Sequence, residues 1–172
     1  TDGFWFVLRS SDNQPFVQAW GAGAAPFNDV PVPGDYDGDG KTDLAVFRRQ
    51  NGTWYVRQSS DGQALVQAWG TGSDAPVPGD YDGDGRTDFA VWRGSDSNWY
   101  IRRSSDAQPV VTTWGSAALN DVLVPGDYDG DGKTDVAVWR PSTATWYVIR
   151  STNGTFLIQA HGQNGDTPIP SK

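Results

Sequence analysis

Gly34-Asp35-Tyr36-Asp37-Gly38-Asp39-Gly40-Lys41-Thr42-Asp43-Leu44-Ala45-Val46 is the stretch that decides how this chain reads. Its acidic core, DxDxDGxxD, occurs three times, at 35–43, 80–88 and 127–135, each preceded by Pro-Gly and followed by a short apolar run. Alternating carboxylates on a tightly coiled loop turn inward together, which a solvated acidic stretch has no reason to do. Packed this closely they repel one another unless a cation lies between them. The pattern therefore predicts three metal sites.

Working outward, a Trp-Tyr pair follows each loop at a nearly constant distance: Trp54-Tyr55, Trp99-Tyr100 and Trp146-Tyr147. Phe4-Trp5-Phe6 stands where an earlier copy would place the same element. From Trp5 to Trp54, Trp99 and Trp146 the period is 49, 45 and 47 residues, a length that points to a solenoid or to propeller blades. All 21 acidic residues are Asp, and Lys occurs only at 41, 133 and 172. Strong helix formers are thus scarce while Gly, Pro, Trp, Val and Thr abound, which is an all-β composition.

Each repeat contains four short β-like runs. In the second copy they are Ala75 to Asp80, Asp88 to Arg93, Asn98 to Arg103 and Val110 to Trp114. The spacing between runs is that of sandwiches, barrels and propellers. Turn residues recur between runs three and four as Ser10-Ser11-Asp12-Asn13, Ser59-Ser60-Asp61-Gly62, Ser104-Ser105-Asp106-Ala107 and Ser151-Thr152-Asn153-Gly154. Such turns make runs three and four antiparallel neighbours. Pro76, Pro78 and their equivalents remove ladder donors from run one, which suits a strand paired on one side only. Large residues fall on both parities of the later runs (Leu44 with Val46, Ala45 with Phe47), as in sheets covered on both faces. Most of the nine Trp then read as packing between blades.

This gives a single repeat domain over 1–172. A partial blade, runs three and four only, occupies 1–29 (Phe4 to Ser10 and Phe16 to Trp20). Complete blades follow at 30–73, 74–119 and 120–165, and a further strand begins in 166–172, where Lys172 stands in place of a fourth loop's first Asp. Three complete repeats plus a partial one predict an incomplete ring, or one completed by oligomerisation, because propellers have four to eight blades and open β edges favour self-association.

Calcium fits the loops best, because it takes six to eight oxygens in a flexible shell, whereas magnesium keeps its waters and demands stricter geometry. In the first loop the expected ligands are Asp35, Asp37, Asp39, the Lys41 carbonyl and Asp43. In the second they are Asp80, Asp82, Asp84, the Arg86 carbonyl and Asp88. In the third they are Asp127, Asp129, Asp131, the Lys133 carbonyl and Asp135. Gly40 permits the sharp turn around the ion. The start resembles an EF-hand, but the closing ligand comes at position nine and a strand follows. Sites at the weak end of calcium affinity fill only where calcium is abundant, which favours the cell exterior.

The thirteen residues quoted first, with their two later copies and the flanking Trp-Tyr strands, resemble the FG-GAP/VCBS repeat family, found in integrin α-subunit propellers and many bacterial secreted proteins. The resemblance implies four-stranded blades, calcium between strands one and two, and an extracellular or cell-surface location, bacterial in type. The Phe-Gly and Gly-Ala-Pro tripeptides that name the family are not at the corresponding places, so integrin-like ligand recognition does not carry over.

Other function classes fare worse. Twelve of the 21 Asp lie in the three loops, so the net charge of −8 belongs to them; it disfavours nucleic acid and anionic membranes weakly. There is no Cys for a disulfide or thiolate site, and no apolar run long enough to span a membrane. Thr1-Asp2-Gly3 does not start a signal peptide. The single His, His161, aligns with Trp20, Trp69 and Trp114, which makes it a packing substitution more than a catalytic base. The reading is a non-enzymatic extracellular module with three Ca2+ ions that recognises a glycan or an extracellular protein and associates with itself. The alternative is a calcium-stabilised scaffold or spacer. For ligand contact the candidates are Trp20, Trp69 and Trp114, at the ends of the fourth strands.

Overall fold

The computed structural model describes residues 3–23 and 27–169. The expected further strand at 166–172 falls partly outside these: 166–169 run without regular pairing, and 170–172 lie outside the described residues, as do 1, 2 and 24–26.

The described chain is all-β apart from two single 3₁₀ turns, Ala117–Leu119 and Pro141–Thr143. It divides into two compact units, Thr1–Asp74 and Ala75–Lys172. In the first unit, strands β1 (Phe4–Leu8) and β2 (Pro15–Ala19) form a two-stranded antiparallel hairpin. After it, β3 (Asp29–Pro31), β4 (Leu44–Arg48), β5 (Thr53–Arg57) and β6 (Ala64–Ala68) form an antiparallel sheet in chain order. The second unit has two such sheets. One is β7 (Ala75–Pro76), β8 (Phe89–Arg93), β9 (Asn98–Arg102) and β10 (Pro109–Thr113). The other is β11 (Val122–Leu123), β12 (Val136–Arg140), β13 (Thr145–Ile149) and β14 (Phe156–Ala160). These are the expected four-stranded antiparallel blades.

The first strand is shorter than the sequence suggests. Only Ala75 and Pro76 pair regularly with β8. The chain keeps touch through the Val77 N–H to the Ala90 carbonyl (2.8 Å) and a bridge between Gly79 and Asp88. The acidic loop therefore hangs from a narrow two-point attachment. The other runs shift by one or two residues at their ends, with Pro15 and Pro109 rather than Phe16 and Val110 opening the fourth strands.

Burial explains why both parities of the second strands are apolar. In β4, Ala45, Val46 and Phe47 are all buried, and in β8 all of Phe89 to Trp92 are. Third strands bury their Trp: Trp54 and Trp99 are fully enclosed. Each meets an aromatic partner across the ladder, Phe47 opposite Trp54 and Trp92 opposite Trp99. Their indole N–H groups donate to the carbonyls of Trp69 (2.9 Å) and Trp114 (3.1 Å), as a buried Trp requires. The fourth strands are largely exposed.

A second repeated device locks the blades. Asp29 and Asp121, at the starts of their sheets, accept paired hydrogen bonds from Arg48 (2.9 and 2.9 Å) and Arg140 (2.8 and 2.9 Å). Each also receives the N–H of an upstream loop residue, Ala22 or Ser116. The guanidinium groups lie over Tyr55 and Tyr147 at 4.3 and 4.5 Å. These aspartates carry their own counter-charge.

Candidate metal centres

Each acidic loop joins the first and second strands of a blade, and its aspartates fall into distinct roles. The closing residue is a pin. Asp43, Asp88 and Asp135 have no exposed surface; one oxygen accepts the N–H of Tyr36, Tyr81 or Tyr128 at 2.9 Å. The other accepts the N–H of Ser59, Ser104 or Ser151 at 2.7 Å. The tyrosine so held donates its hydroxyl to the carbonyl of Val32, Val77 or Val124. Burial, reinforced by the nearby carboxylate of Asp43, Asp88 or Asp135, pushes the tyrosine pKa up, to about 12 for Tyr128.

The opening residue shapes the coil. Asp35 accepts the N–H groups of Gly38 (2.7 Å) and Gly40 (2.8 Å), Asp80 those of Gly83 and Gly85, and Asp127 those of Gly130 and Gly132. Hydrogen bonds from Gly132, Gly130 and Asp131 outweigh desolvation and hold the Asp127 carboxyl below its ordinary pKa. Gly40 and Gly132 have φ of +82° and +86°, a backbone that side chains disfavour.

Carboxylate oxygens of Asp35, Asp37 and Asp39 lie within 4.8 Å of one another, as do those of Asp80, Asp82 and Asp88, and of Asp127, Asp129 and Asp135. Nine of the twelve expected carboxylates thus converge in threes. Asp43 is outside its trio, although Asp88 and Asp135, pinned by the same two hydrogen bonds, are inside theirs. Asp84 and Asp131 turn back along the chain to the N–H groups of Arg86 and Lys133 (both 2.9 Å), as Asp39 does to that of Lys41 (2.8 Å). The three residues proposed for carbonyl ligation are therefore tied to the loop through their N–H groups.

Two observations fit a cation here. The Asp129 Oδ1 atom is buried without a hydrogen-bond partner, a costly state for a carboxylate oxygen. The Asp88 carboxyl is pushed up to about 6 by burial, and Asp82 adds to this against the opposing hydrogen bonds of Ser104 and Tyr81. Burial likewise raises Asp43. A hard divalent ion would offset both costs with oxygen donors of the type it prefers.

Sequence reasoning missed the serines. Read only as a hairpin turn, Ser59-Ser60, Ser104-Ser105 and Ser151-Thr152 are the outer wall of each centre. Ser60 Oγ donates to Asp37 (2.7 Å), Ser105 Oγ to Asp82 (2.6 Å) and Thr152 Oγ1 to Asp129. The signal was available as a hydroxyl residue always 23 positions after the second loop Asp. The turn between strands three and four thus holds the loop between strands one and two.

The three Trp candidates face different demands. Trp20 and Trp114 donate their indole N–H to the carbonyls of Tyr55 and Tyr147 (both 3.0 Å), each tying one third strand's blade to the preceding element. Trp114 also stacks on Phe156, 5.1 Å between ring centres. Trp69 is half-buried, and its carbonyl accepts the Trp54 indole. What Trp20 and Trp114 retain for a ligand is ring surface. His161 is exposed at the end of β14, its backbone N–H bonded to the Ala144 carbonyl.

The family model described as FG-GAP-like repeat matches residues 35–91 and 80–138, more than half of the chain. No curated protein sequence matches significantly. Among solved structures, that of BBS1N in complex with ARL6DN, soaked with lead, has 15% sequence identity and a TM-score of 0.49 to this chain. The match covers 79% of this chain and 44% of the other, so the chain spans less than half the length of that relative.

Proposed function

The chain belongs to the FG-GAP-like repeat family, and from that premise we propose that it is an extracellular, calcium-binding recognition or adhesion module with no catalytic role. The observation that carries the calcium reading is the threefold recurrence of a carboxylate trio backed by a hydroxyl-bearing turn. Asp35, Asp37 and Asp39 would hold the first ion, Asp80, Asp82 and Asp88 the second, and Asp127, Asp129 and Asp135 the third.

Calcium bound there would supply charge neutralisation and a rigid link between the loop and the turn, not chemistry on a substrate. The residues do the positioning themselves. Buried Asp43, Asp88 and Asp135 fix the loop ends, the glycines let the chain coil, and Ser60, Ser105 and Thr152 orient the second carboxylate. Recognition of a glycan or an extracellular protein is the role that fits blades so stiffened. Among the described residues no helix is long and apolar enough to cross a membrane.

A glycan and extracellular-protein array probed with the chain in millimolar calcium and again in chelator tests this function. Calcium-dependent capture of a defined class supports recognition. A chelator-sensitive melting temperature without capture of any class would replace it with the scaffold reading.

A further inference from the structure

Within the second unit, the second and third acidic loops touch. The Thr134 N–H donates to the Asp80 carbonyl at 2.6 Å. Gly79 fits against Thr134 only because it has no side chain, since a Cβ there would lie 2.7 Å from the Thr134 hydroxyl oxygen. Gly83 lies against the stem of Lys133, where a Cβ would come within 2.9 Å of Cε. Between them, Tyr81 packs on the cluster that holds Val136 and Val138. Residues 79–83 of one loop thus rest on residues 133–136 of the next.

Both stretches carry carboxylates that converge for an ion. Asp80 and Asp82 belong to the second trio, and Asp135 to the third. Asp135 follows Thr134 directly, and its own oxygens are fixed by the N–H groups of Tyr128 (2.9 Å) and Ser151 (2.7 Å). An ion that draws Asp80 and Asp82 together fixes the Asp80 carbonyl, and with it the acceptor of the Thr134 N–H. That contact holds the backbone from which Asp135 projects. In the other direction, an ion on Asp135 and Asp129 steadies Thr134 and hence Asp80. What one ion orders the other finds ordered, so the entropy of fixing the shared contact is lost only once.

We propose that the second and third sites bind calcium cooperatively through the Asp80–Thr134 contact, filling of either raising the affinity of the other about fivefold or more. The inference rests on the calcium reading of the loops, which the partnerless Asp129 Oδ1 atom supports at the third site. One effect opposes it: an ion in one site weakens the attraction of the other for a second cation. Salt screens that field beyond about 8 Å at physiological ionic strength, whereas the interlock acts through direct contact and survives salt.

The test follows the Gly85 and Gly132 amides of the whole, isotope-labelled chain by NMR during titration with calcium chloride in about 0.15 M salt. These N–H groups donate to Asp80 (2.8 Å) and Asp127 (3.0 Å), so each reports its own site. In Asp129→Ala, which removes a third-site carboxylate, the Gly85 midpoint should move about fivefold or more to higher calcium. Asp129→Asn, uncharged but of the same shape, should move it in the same direction without the loss of packing. In Asp82→Ala the Gly132 midpoint should rise by the same factor, because coupling between two binding sites is reciprocal. Gly79 is no ligand and has no left-handed φ, so Gly79→Ala serves as a wedge between the loops. In the Gly79→Ala chain, adding Asp129→Ala should leave the Gly85 midpoint where it was. A Gly85 midpoint that Asp129→Ala and Asp129→Asn leave unmoved or shift to lower calcium overturns the proposal while the calcium reading stands, as does a coupling that persists in Gly79→Ala. Calcium that moves neither amide of the parent chain overturns both.

Discussion

Asp121 and Asp129 stand eight residues apart and belong to opposite designs. Asp121 is fully buried, yet its two oxygens meet Arg140 at 2.8 and 2.9 Å and an N–H from Ser116. Asp129 reaches Thr152 with one oxygen and leaves the other buried without a partner. Both residues recur through the repeats, so recurrence of an aspartate does not by itself mark a metal site. What separates them is whether the fold builds in the counter-charge. The clamp region is complete; the loop region, among the described residues, sets only the exposed Lys41–Asp39 pair (3.2 Å) against its twelve carboxylates.

Breaking the clamp is the largest perturbation this contrast predicts. Asp121→Ala leaves Arg140 charged and partly buried with only the Tyr147 ring and no carboxylate, at a cost of about 3–5 kcal/mol. Denaturant unfolding should show that loss equally in calcium and in chelator. Removing the ion from the loops comes next: an ion at a hundred times its Kd stabilises by about 2.7 kcal/mol per site, and Asp129→Ala should abolish the share of the third site. Without calcium the same substitution should cost less, because the loss of the Thr152 hydrogen bond is offset by removal of an unpartnered buried oxygen.

Acidity sharpens the comparison further. The Asp88 carboxyl, at about 6 in the fold, lies above its unfolded value of about 3.9. The folded chain therefore binds this proton more tightly than the unfolded chain. Its contribution to metal-free stability rises as pH falls through about 6 and is complete below about 4. Calcium demands the ionised form, so binding at about pH 6 should release roughly half a proton from this site and near pH 8 almost none. Calorimetric titration in buffers of different ionisation enthalpy reads that number, and equal release at both values would remove Asp88 from the site.

The smallest effect concerns the turn that backs the second loop. Ala107 holds a left-handed φ of +60°, where the equivalent turns use Asn13, Gly62 and Gly154. Ala107→Gly relieves a strain of about 1 kcal/mol and should raise the melting temperature by a few degrees without changing the calcium affinity of a loop held by Ser104 and Ser105.

The blades and the three acidic clusters were legible in the sequence because both rest on short-range pattern. Alternating Asp, the paired Trp-Tyr and the Ser-rich turns each declare a local geometry. Long-range partnership was not legible. Nothing in Ser60 or Ser105 by itself says that its hydroxyl reaches back 23 residues to a loop carboxylate. The pairing of Asp29 with Arg48 crosses the acidic loop, so spacing alone does not reveal it. Trp20 and Trp114 looked available for ligand because they end exposed strands. Their indole N–H groups instead meet backbone carbonyls 35 and 33 residues onward, contacts that only the stacking of blades creates.

The central claim, that the loops carry too little built-in counter-charge for their carboxylates and take divalent ions to supply the rest, is tested most directly by calcium stoichiometry. Isothermal titration of the chelator-stripped chain with calcium chloride should give three ions per chain, falling to two in Asp129→Ala and staying at three in the Ala107→Gly variant. Three ions in Asp129→Ala, or no saturable heat from the parent chain, would contradict it.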